Sequence, residues 1–301
     1  MALSAAAPPH RLSRGSRVGA YVALTKPRII ELLLVTTLPT MIVAQRGLPP
    51  LWLMIATLVG GALAAGGANA INMYVDRDID KLMRRTSGRP LVTGAVTPAA
   101  ALVFAITLEV LAFVELWAFV NLLSAVLALS ATLFYVFVYT LWLKRTSSQN
   151  IVIGGAAGAV PVLVGWAAVT DRLGWTPLVL FAIIFVWTPP HFWALAVKYQ
   201  DDYRTAHVPM LPAVSTIRRT AVEILAYSVL LVAVSLLLAA VAHLGAFYLT
   251  AATVLGLVFL ALAVKLFRRA TPKVAMQLFS YSITYLTLLF VVMAVAVFVT
   301  R

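Results

Sequence analysis

The sequence of 301 residues contains no cysteine. Disulfide bonds, thiolate nucleophiles, zinc sites built on cysteine and covalent attachment of c-type haem are therefore excluded. Charge is also scarce, because charged residues make up 11% of the chain against 62% hydrophobic ones, and only 10 residues are acidic. In a soluble domain about a quarter of the residues are charged. This scarcity makes the position of each acidic residue informative.

Apolar runs of about 20 residues, the length that crosses roughly 30 Å of hydrocarbon, recur along the whole chain. We therefore predict an all-α integral membrane protein, a bundle of nine transmembrane helices. Residues 99–142 are too long for one span, so we divide them near Asn121. The nine predicted spans are residues 29–46, 51–73, 99–117, 120–142, 150–169, 176–198, 219–242, 246–265 and 277–299.

The loops between these spans alternate in charge. On a nine-span arrangement, 20 of the 23 basic residues fall on one side, and the other side keeps Arg46, Arg172 and Arg301. Cytoplasmic loops of bacterial membrane proteins retain Lys and Arg. We predict that the N-terminus lies inside and the C-terminus outside, in the cell inner (plasma) membrane. The asymmetry accounts for the net charge of +13 without a nucleic-acid partner.

Residues 1–20 are basic and lack both acidic residues and the apolar core of a signal peptide. We predict a disordered cytoplasmic tail here, followed by a single transmembrane domain over residues 21–301. A Ser- and Arg-rich segment without acid also fits a mitochondrial transit peptide, which keeps the mitochondrial inner membrane as an alternative location.

The first acidic cluster follows the second span, in NMYVDRDIDKLMRRTSGRP (72–90). Asn72, Asp76 and Asp80 are four residues apart and share a helix face, whereas Asp78 points elsewhere. Such a face suits Mg²⁺, which binds through one or two carboxylates while substrate phosphates supply other ligands. The alternative is a solvated helix end with intrahelical ion pairs, but ionisable groups at membrane depth are usually functional. Basic residues predicted to contact phosphate with this face are Lys81, Arg85, Arg89 and, after a later span, Arg145.

The second acidic cluster, in KYQDDYRTAH (198–207), closes a later span on the same side. We predict that it faces the first cluster across one cavity, with Asp201 and Asp202 as further metal ligands. Lys198 and Asp201 would contact diphosphate. Two carboxylate sets with cations between them suit the departure of a diphosphate, because metals and basic side chains stabilise the developing negative charge.

Five segments, in order over nearly 190 residues, resemble the UbiA-type membrane prenyltransferases and, within that family, the members that farnesylate haem. They are LTKPRIIELLL (24–34), DRDIDKLMRRTSGRPLVTG (76–94), NIVIGGAAGAVPVLVGW (150–166), WTPPHFWALA (187–196) and DDYRTAHVPMLP (201–212). The chain departs from the DxxxD spacing of many family members, because Lys198 stands four residues before Asp202. The second cluster therefore either binds its own metal or contacts phosphate through Lys198.

The resemblance implies transfer of a farnesyl group from farnesyl diphosphate to the vinyl group of haem b (protoheme IX), with release of diphosphate. The product, haem O, would supply terminal oxidases, and haem A synthase or oxidase-assembly proteins would be partners. The implied catalytic residues are Asp76, Asp80, Asp202 and His191, with Mg²⁺ as the cofactor.

His191 lies in WTPPHFWALAVK, and we predict that it contacts haem together with Trp187 and Trp193. On one continuous helix His191 would lie about 16 Å below Asp202. A neutral imidazole there would ligate haem iron or assist a proton transfer. The alternative is a hydrogen bond to a carbonyl that the two prolines leave free.

Three other functions compete with this one. A prenyltransferase acting on a quinone-precursor ring would share the aspartates but would not need the WTPPHFW segment. A cation or metabolite transporter would space its acids through the bilayer, whereas here they gather at one surface. A scaffolding membrane protein leaves the clustering unexplained.

Overall fold

The computed structural model describes residues 14–300, without the side chains of residues 14–16 and 28–34. Every regular element in this part of the chain is helical. In chain order the elements are α1 (Arg14–Thr25), α2 (Pro27–Gln45), α3 (Leu51–Val75), α4 (Arg77–Asp80), α5 (Pro98–Phe119), α6 (Leu122–Leu133), a π-helical segment (Phe134–Leu143), α7 (Lys144–Thr146), α8 (Asn150–Thr170), α9 (Trp175–Lys198), α10 (Gln200–Thr205), α11 (Leu211–Val214), α12 (Ile217–Val241), α13 (Gly245–Arg269) and α14 (Pro272–Val299).

Eight helices among the described residues are long and apolar enough to cross a membrane. They are α3, α5, the continuous run Leu122–Thr146, α8, α9, α12, α13 and α14. The prediction of an all-α multi-pass membrane protein is confirmed. The remaining predicted span, residues 29–46, overlaps α2, whose described apolar part is the shorter stretch Val35–Gln45. The count of nine stays a prediction.

The division of residues 99–142 coincides with a helix cap. Helix α5 ends at Phe119 and α6 begins at Leu122. The Asn121 side-chain oxygen accepts a hydrogen bond from the Ser124 backbone N–H at 2.8 Å, which satisfies a donor at the start of α6. The Asn121 amide also donates to the Ala167 carbonyl of α8 at 2.7 Å. One polar residue thus ends one span, starts the next and fixes both against a third.

Helix α1 begins inside the predicted tail, so residues 14–20 are helical rather than disordered, and residues 1–13 lie outside the described part. Leu24 is fully buried in a cluster with residues of α3 and α5. The Asn69 side-chain amide donates to the Thr25 carbonyl at 3.1 Å and joins α1 to α3. Helix α1 therefore packs against the bundle at the end that carries the acidic residues.

Small residues allow α3 to lie close to α5. A Cβ atom at Gly67 would sit 2.6 Å from Glu109 Oε1, closer than real Cβ atoms approach their neighbours, and 3.0 Å from the Ala105 carbonyl oxygen, a tight contact. Such close approach of backbones is typical of helix pairs in membranes. The contact fixes α3, and with it the acidic residues at its end.

Candidate active site

The first acidic cluster lies where α3 gives way to α4. Asp76 ends α3, yet the i to i−4 hydrogen bonds continue from Asp76 to Asn72 and from Asp80 to Asp76, each at 2.9 Å. Asn72, Asp76 and Asp80 are 3%, 0% and 1% exposed. The Asp78 side chain, by contrast, is 59% exposed. The spacing of four residues therefore places Asn72, Asp76 and Asp80 on one buried face, as it would on an unbroken helix. The Asp78 side chain faces away from it.

Basic side chains surround the buried carboxylates. The Lys144 ammonium contacts Asp76 Oδ2, and the Arg89 guanidinium contacts Asp80 Oδ2 at 2.5 Å. Arg145 donates twice to Asp78, at 2.7 Å each, and lies 3.8 Å from Asp76 Oδ1. The Arg145 guanidinium holds the pKa of the Asp78 carboxyl at about 2, below its ordinary value. Each acid of the cluster therefore has a basic counter-charge.

The Asn72 side chain connects three elements. The side-chain oxygen Oδ1 of Asn72 accepts a hydrogen bond from the Lys26 ammonium at 2.9 Å. The side-chain nitrogen Nδ2 donates to Asp76 at 2.8 Å and to Thr140 at 3.2 Å. Thr140 lies in the π-helical segment and donates to the Tyr135 carbonyl five residues before it, at 2.8 Å. Burial and the nearby cationic groups of Arg89 and Lys144 lower the pKa of Lys26 well below its ordinary value. Sequence reasoning missed Thr140, whose hydroxyl gives no signal in an apolar span.

The end of α3 also holds two arginines. Arg77 donates to the Tyr74 carbonyl at 2.5 Å, and Arg145 donates to the Val75 carbonyl at 3.2 Å. These carbonyls belong to the last turn of α3, where no further helical N–H is available to them. The guanidinium groups of Arg77 and Arg145 thus bind carbonyls at the C-terminal end of α3.

Several buried polar atoms at this end of the bundle have no hydrogen-bond partner among the described residues. They are Asp76 Oδ1, Asp80 Oδ1, and both Oδ1 and Nδ2 of Asn150, which is fully buried. Buried polar groups normally have a partner, so the unpaired carboxylate oxygens point to a ligand. Hard oxygen ligands fit Mg²⁺. Within the described residues no three histidine or acidic side chains come together in a group that could hold a metal ion.

The second cluster sits on α10, which is separate from α9. Helix α9 ends at Lys198, so the height of about 16 Å predicted between His191 and Asp202 does not apply. Asp202 Oδ2 accepts from the Arg85 backbone N–H at 3.4 Å, which brings it against the loop after the first cluster. The Asp201 side chain is 86% exposed and pairs with Arg204 at 3.2 Å.

Three of the basic residues predicted to contact phosphate are exposed. Lys81, Arg85 and Lys198 lie at the surface, and the last two both lie near the Tyr199 ring, at 5.8 Å and 5.4 Å from its centroid. Arg89 and Arg145, which belong to the same predicted set, already pair with carboxylates. The predicted residues thus divide into an inner group held by the aspartates and an outer group facing solvent.

His191 lies inside the bundle between two aromatic rings. Its ring stacks on Trp187 at 4.2 Å between centroids and on Phe279 of α14 at 4.7 Å. Its Nδ1 atom lies 2.7 Å from Ser282 Oγ, and Trp187 Nε1 donates to the Ser282 carbonyl at 2.8 Å. Sequence reasoning missed Phe279 and Ser282, because nothing in α14 marks them out before the helices are packed.

Trp193 is not part of this group. It is fully buried against α12, edge-on to the Tyr227 ring at 5.7 Å. The structure brings His191 and Trp187 together and leaves Trp193 on another side of α9.

Comparison with known proteins gives the family of the chain. The sequence profile of the UbiA prenyltransferase family matches residues 33–293, most of the chain. The chain belongs to the UbiA prenyltransferase family. A curated relative from Renibacterium salmoninarum, named protoheme IX farnesyltransferase, is 53% identical over 297 residues, covering 97% of this chain and 93% of its own. A relative of the same name from Frankia alni is 54% identical over 284 residues, covering 93% and 98%.

Solved structures show the same UbiA fold at lower sequence identity. A structure described as a digeranylgeranylglyceryl phosphate synthase superimposes with a TM-score of 0.77 at 16% identity, covering 93% of this chain and 98% of its own. A UbiA homologue from Archaeoglobus fulgidus bound to GPP and Mg²⁺ superimposes with a TM-score of 0.63 at 18% identity, covering 91% and 99%. At such identities the likeness concerns the fold.

Proposed function

We propose that this UbiA family member transfers a farnesyl group from farnesyl diphosphate to the vinyl group of haem b, releasing diphosphate and giving haem O. The observation that carries the proposal is the pair of buried carboxylates, Asp76 and Asp80. In each, one oxygen contacts a basic side chain and the other has no hydrogen-bond partner among the described residues. The names of the curated relatives, more than half identical over most of their length, support farnesyl and protoheme IX as the substrates.

Asn72, Asp76 and Asp80 are the residues that would hold Mg²⁺, with Asp202 and Asp201 as further candidates from the second cluster. When bound, Mg²⁺ supplies positive charge that stabilises the leaving diphosphate. The exposed oxygens of the diphosphate would be met by the outer basic residues, Lys81, Arg85 and Lys198. Asn150, with both amide atoms unpaired, is a further candidate contact for this substrate.

Departure of diphosphate leaves an allylic cation, which the vinyl π-bond attacks. The cation that this attack leaves on the former vinyl carbon then takes up one water molecule and releases a proton, which gives the hydroxyl group of haem O. Aromatic faces favour a nearby cation, and a closed apolar bundle limits its quenching by water. At the acceptor end we assign His191 and Trp187 to haem, because their rings lie together in the interior. Trp193 packs against Tyr227, so we assign it to the core instead. Along α9, His191 lies seven residues, about 10 Å, from Lys198 at the cytoplasmic end.

The proposed arrangement in the membrane has nine spans, the N-terminus and both acidic clusters in the cytoplasm and the C-terminus outside. The division of 20 basic residues against 3 supports it. The location would then be the plasma membrane, with the active site open to cytoplasmic farnesyl diphosphate and Mg²⁺.

The activity is tested with the purified protein, Mg²⁺, farnesyl diphosphate and haem b, by mass spectrometry of the extracted pigment. We expect farnesylated haem from the unchanged protein and none from Asp76→Asn. The matched control is Asp171→Asn, an exposed acid at the other end of the bundle, at a positive φ of 49° that Asn tolerates. Prenylation of a hydroxylated aromatic acid and not of haem would assign the chain to the quinone-precursor branch instead.

A further inference from the structure

Ser282 contacts His191 and Phe279 through one hydroxyl group. This residue of α14 is fully buried, and its Oγ lies 2.6 Å from the Phe279 carbonyl oxygen and 2.7 Å from His191 Nδ1. A hydroxyl has one hydrogen to donate, and a carbonyl oxygen has none. If the hydrogen pointed at Nδ1, Oγ and the Phe279 oxygen would face each other as bare acceptors at 2.6 Å. The hydroxyl therefore donates to Phe279.

It follows that Ser282 Oγ accepts from His191, and that Nδ1 carries the proton. The ring contacts of His191 among the described residues are Trp187, Phe192 and Phe279, none of them acidic, so no carboxylate offsets the cost of burying an imidazolium. In a neutral imidazole with the proton on Nδ1, the free electron pair is on Nε2. No hydrogen bond in the described part of the chain engages Nε2.

The orientation of the ring is fixed as well. Trp187 and Phe279 cover its two faces, and Ser282 holds one edge. The backbone carbonyl of Ser282 accepts a hydrogen bond from the Trp187 indole N–H. Ser282 alone therefore positions the side chains of both His191 and Trp187. Phe192 stands perpendicular to the ring at 5.2 Å between centroids, and Nε2 is the ring nitrogen without a hydrogen bond among the described residues.

We propose that Ser282 is a positioning residue that holds His191 in the tautomer whose Nε2 electron pair is offered to the iron of the haem substrate. This rests on the proposed function insofar as it names haem. Partners of this kind, which fix the tautomer of a metal-binding histidine, typically contribute 10–100-fold, approximately, to metal affinity or activity. Nothing in the sequence links residues 191 and 282, which are 91 positions apart.

The tautomer is measured directly by nitrogen NMR of protein labelled on histidine. The chain has 4 histidines, and the His191 signals are those that disappear in His191→Gln. We expect a protonated Nδ1 and an unprotonated Nε2 in the unchanged protein, before any haem is added. A neutral His191 with the proton on Nε2 in the unchanged protein would by itself overturn the tautomer assignment.

The positioning role is measured with Ser282→Ala. We expect the two tautomers to become mixed and the Kd for haem to rise by about 10–100-fold, while farnesyl diphosphate binding is unchanged. Ser282→Thr, which keeps the hydroxyl, should restore the NMR pattern. The matched control is Ser228→Ala, a serine on α12 that is equally buried and also donates to a backbone carbonyl, at 2.6 Å, but contacts no histidine.

The two arms separate the two hypotheses. If the unchanged protein has the expected tautomer but binds no haem, the tautomer assignment stands and the haem substrate fails. If it binds haem through His191, and Ser282→Ala changes neither the tautomer nor the Kd, the positioning role of Ser282 is refuted.

Discussion

Asp76→Asn and Asp78→Asn are the same chemical change two residues apart, in opposite environments. Asp76 is fully buried, and one of its oxygens contacts Lys144 and the Asn72 amide. The other oxygen has no hydrogen bond among the described residues and lies 3.8 Å from Arg145. Asp78 is 59% exposed and pairs with Arg145, itself 34% exposed. We expect Asp76→Asn to abolish turnover and Asp78→Asn to leave most of it.

The magnitudes follow from burial. Removing the Asp76 charge leaves the Lys144 ammonium, 13% exposed, without its counter-charge and removes a metal ligand. Breaking a buried pair in this way costs about 3–5 kcal/mol of folding free energy. The loss of turnover in the molecules that still fold comes from the missing metal ligand, because the metal stabilises the leaving diphosphate. The Asp78–Arg145 pair is screened by solvent, so its loss costs only about 0.2–1 kcal/mol of folding free energy, and no ligand on the buried face is removed.

The assay is kcat/KM for farnesyl diphosphate at saturating haem, with Mg²⁺ titrated for each variant. Thermal melting in detergent checks that both variants fold. The reasoning is refuted if Asp78→Asn is as damaging as Asp76→Asn in a folded protein, because the buried face would then not be the metal face.

Three further results are expected. Gly67→Ala should lower the melting temperature by the equivalent of about 1–3 kcal/mol, since its Cβ would meet Glu109 at 2.6 Å, whereas Gly61→Ala, with nothing within 4 Å, should not. Asn150→Leu should raise the melting temperature, because an unpaired buried amide is removed, and should weaken farnesyl diphosphate binding; unchanged binding would exclude the amide as a substrate contact. Because the chain lacks cysteine, a single Ser87→Cys, at an exposed site, can be probed with an impermeant thiol reagent, and labelling from outside the cell would invert the proposed topology.

Features coded by neighbouring residues were predictable from the sequence. The division at Asn121 follows from a capping side chain, and the burial of Asp76 and Asp80 follows from their spacing. The break between α9 and α10 was not predicted, because Tyr199 is not a helix-breaking residue. The sequence analysis therefore treated His191 and Asp202 as parts of one continuous helix. The contacts of Ser282 were out of reach, because they depend on how α14 packs on α9.

The pairing of Asp76 with Lys144 and of Asp80 with Arg89 has a consequence for the order in which ligands bind. These two cations neutralise the carboxylates, so they are not free to meet an anion while the pairs are intact. They become available when another cation takes over the carboxylates. The carboxylates then exchange Lys144 and Arg89 for the divalent ion, and the two released side chains pair with the diphosphate. The net charge of the site therefore stays close to zero. Diphosphate should therefore bind weakly before the divalent ion is present and tightly after it.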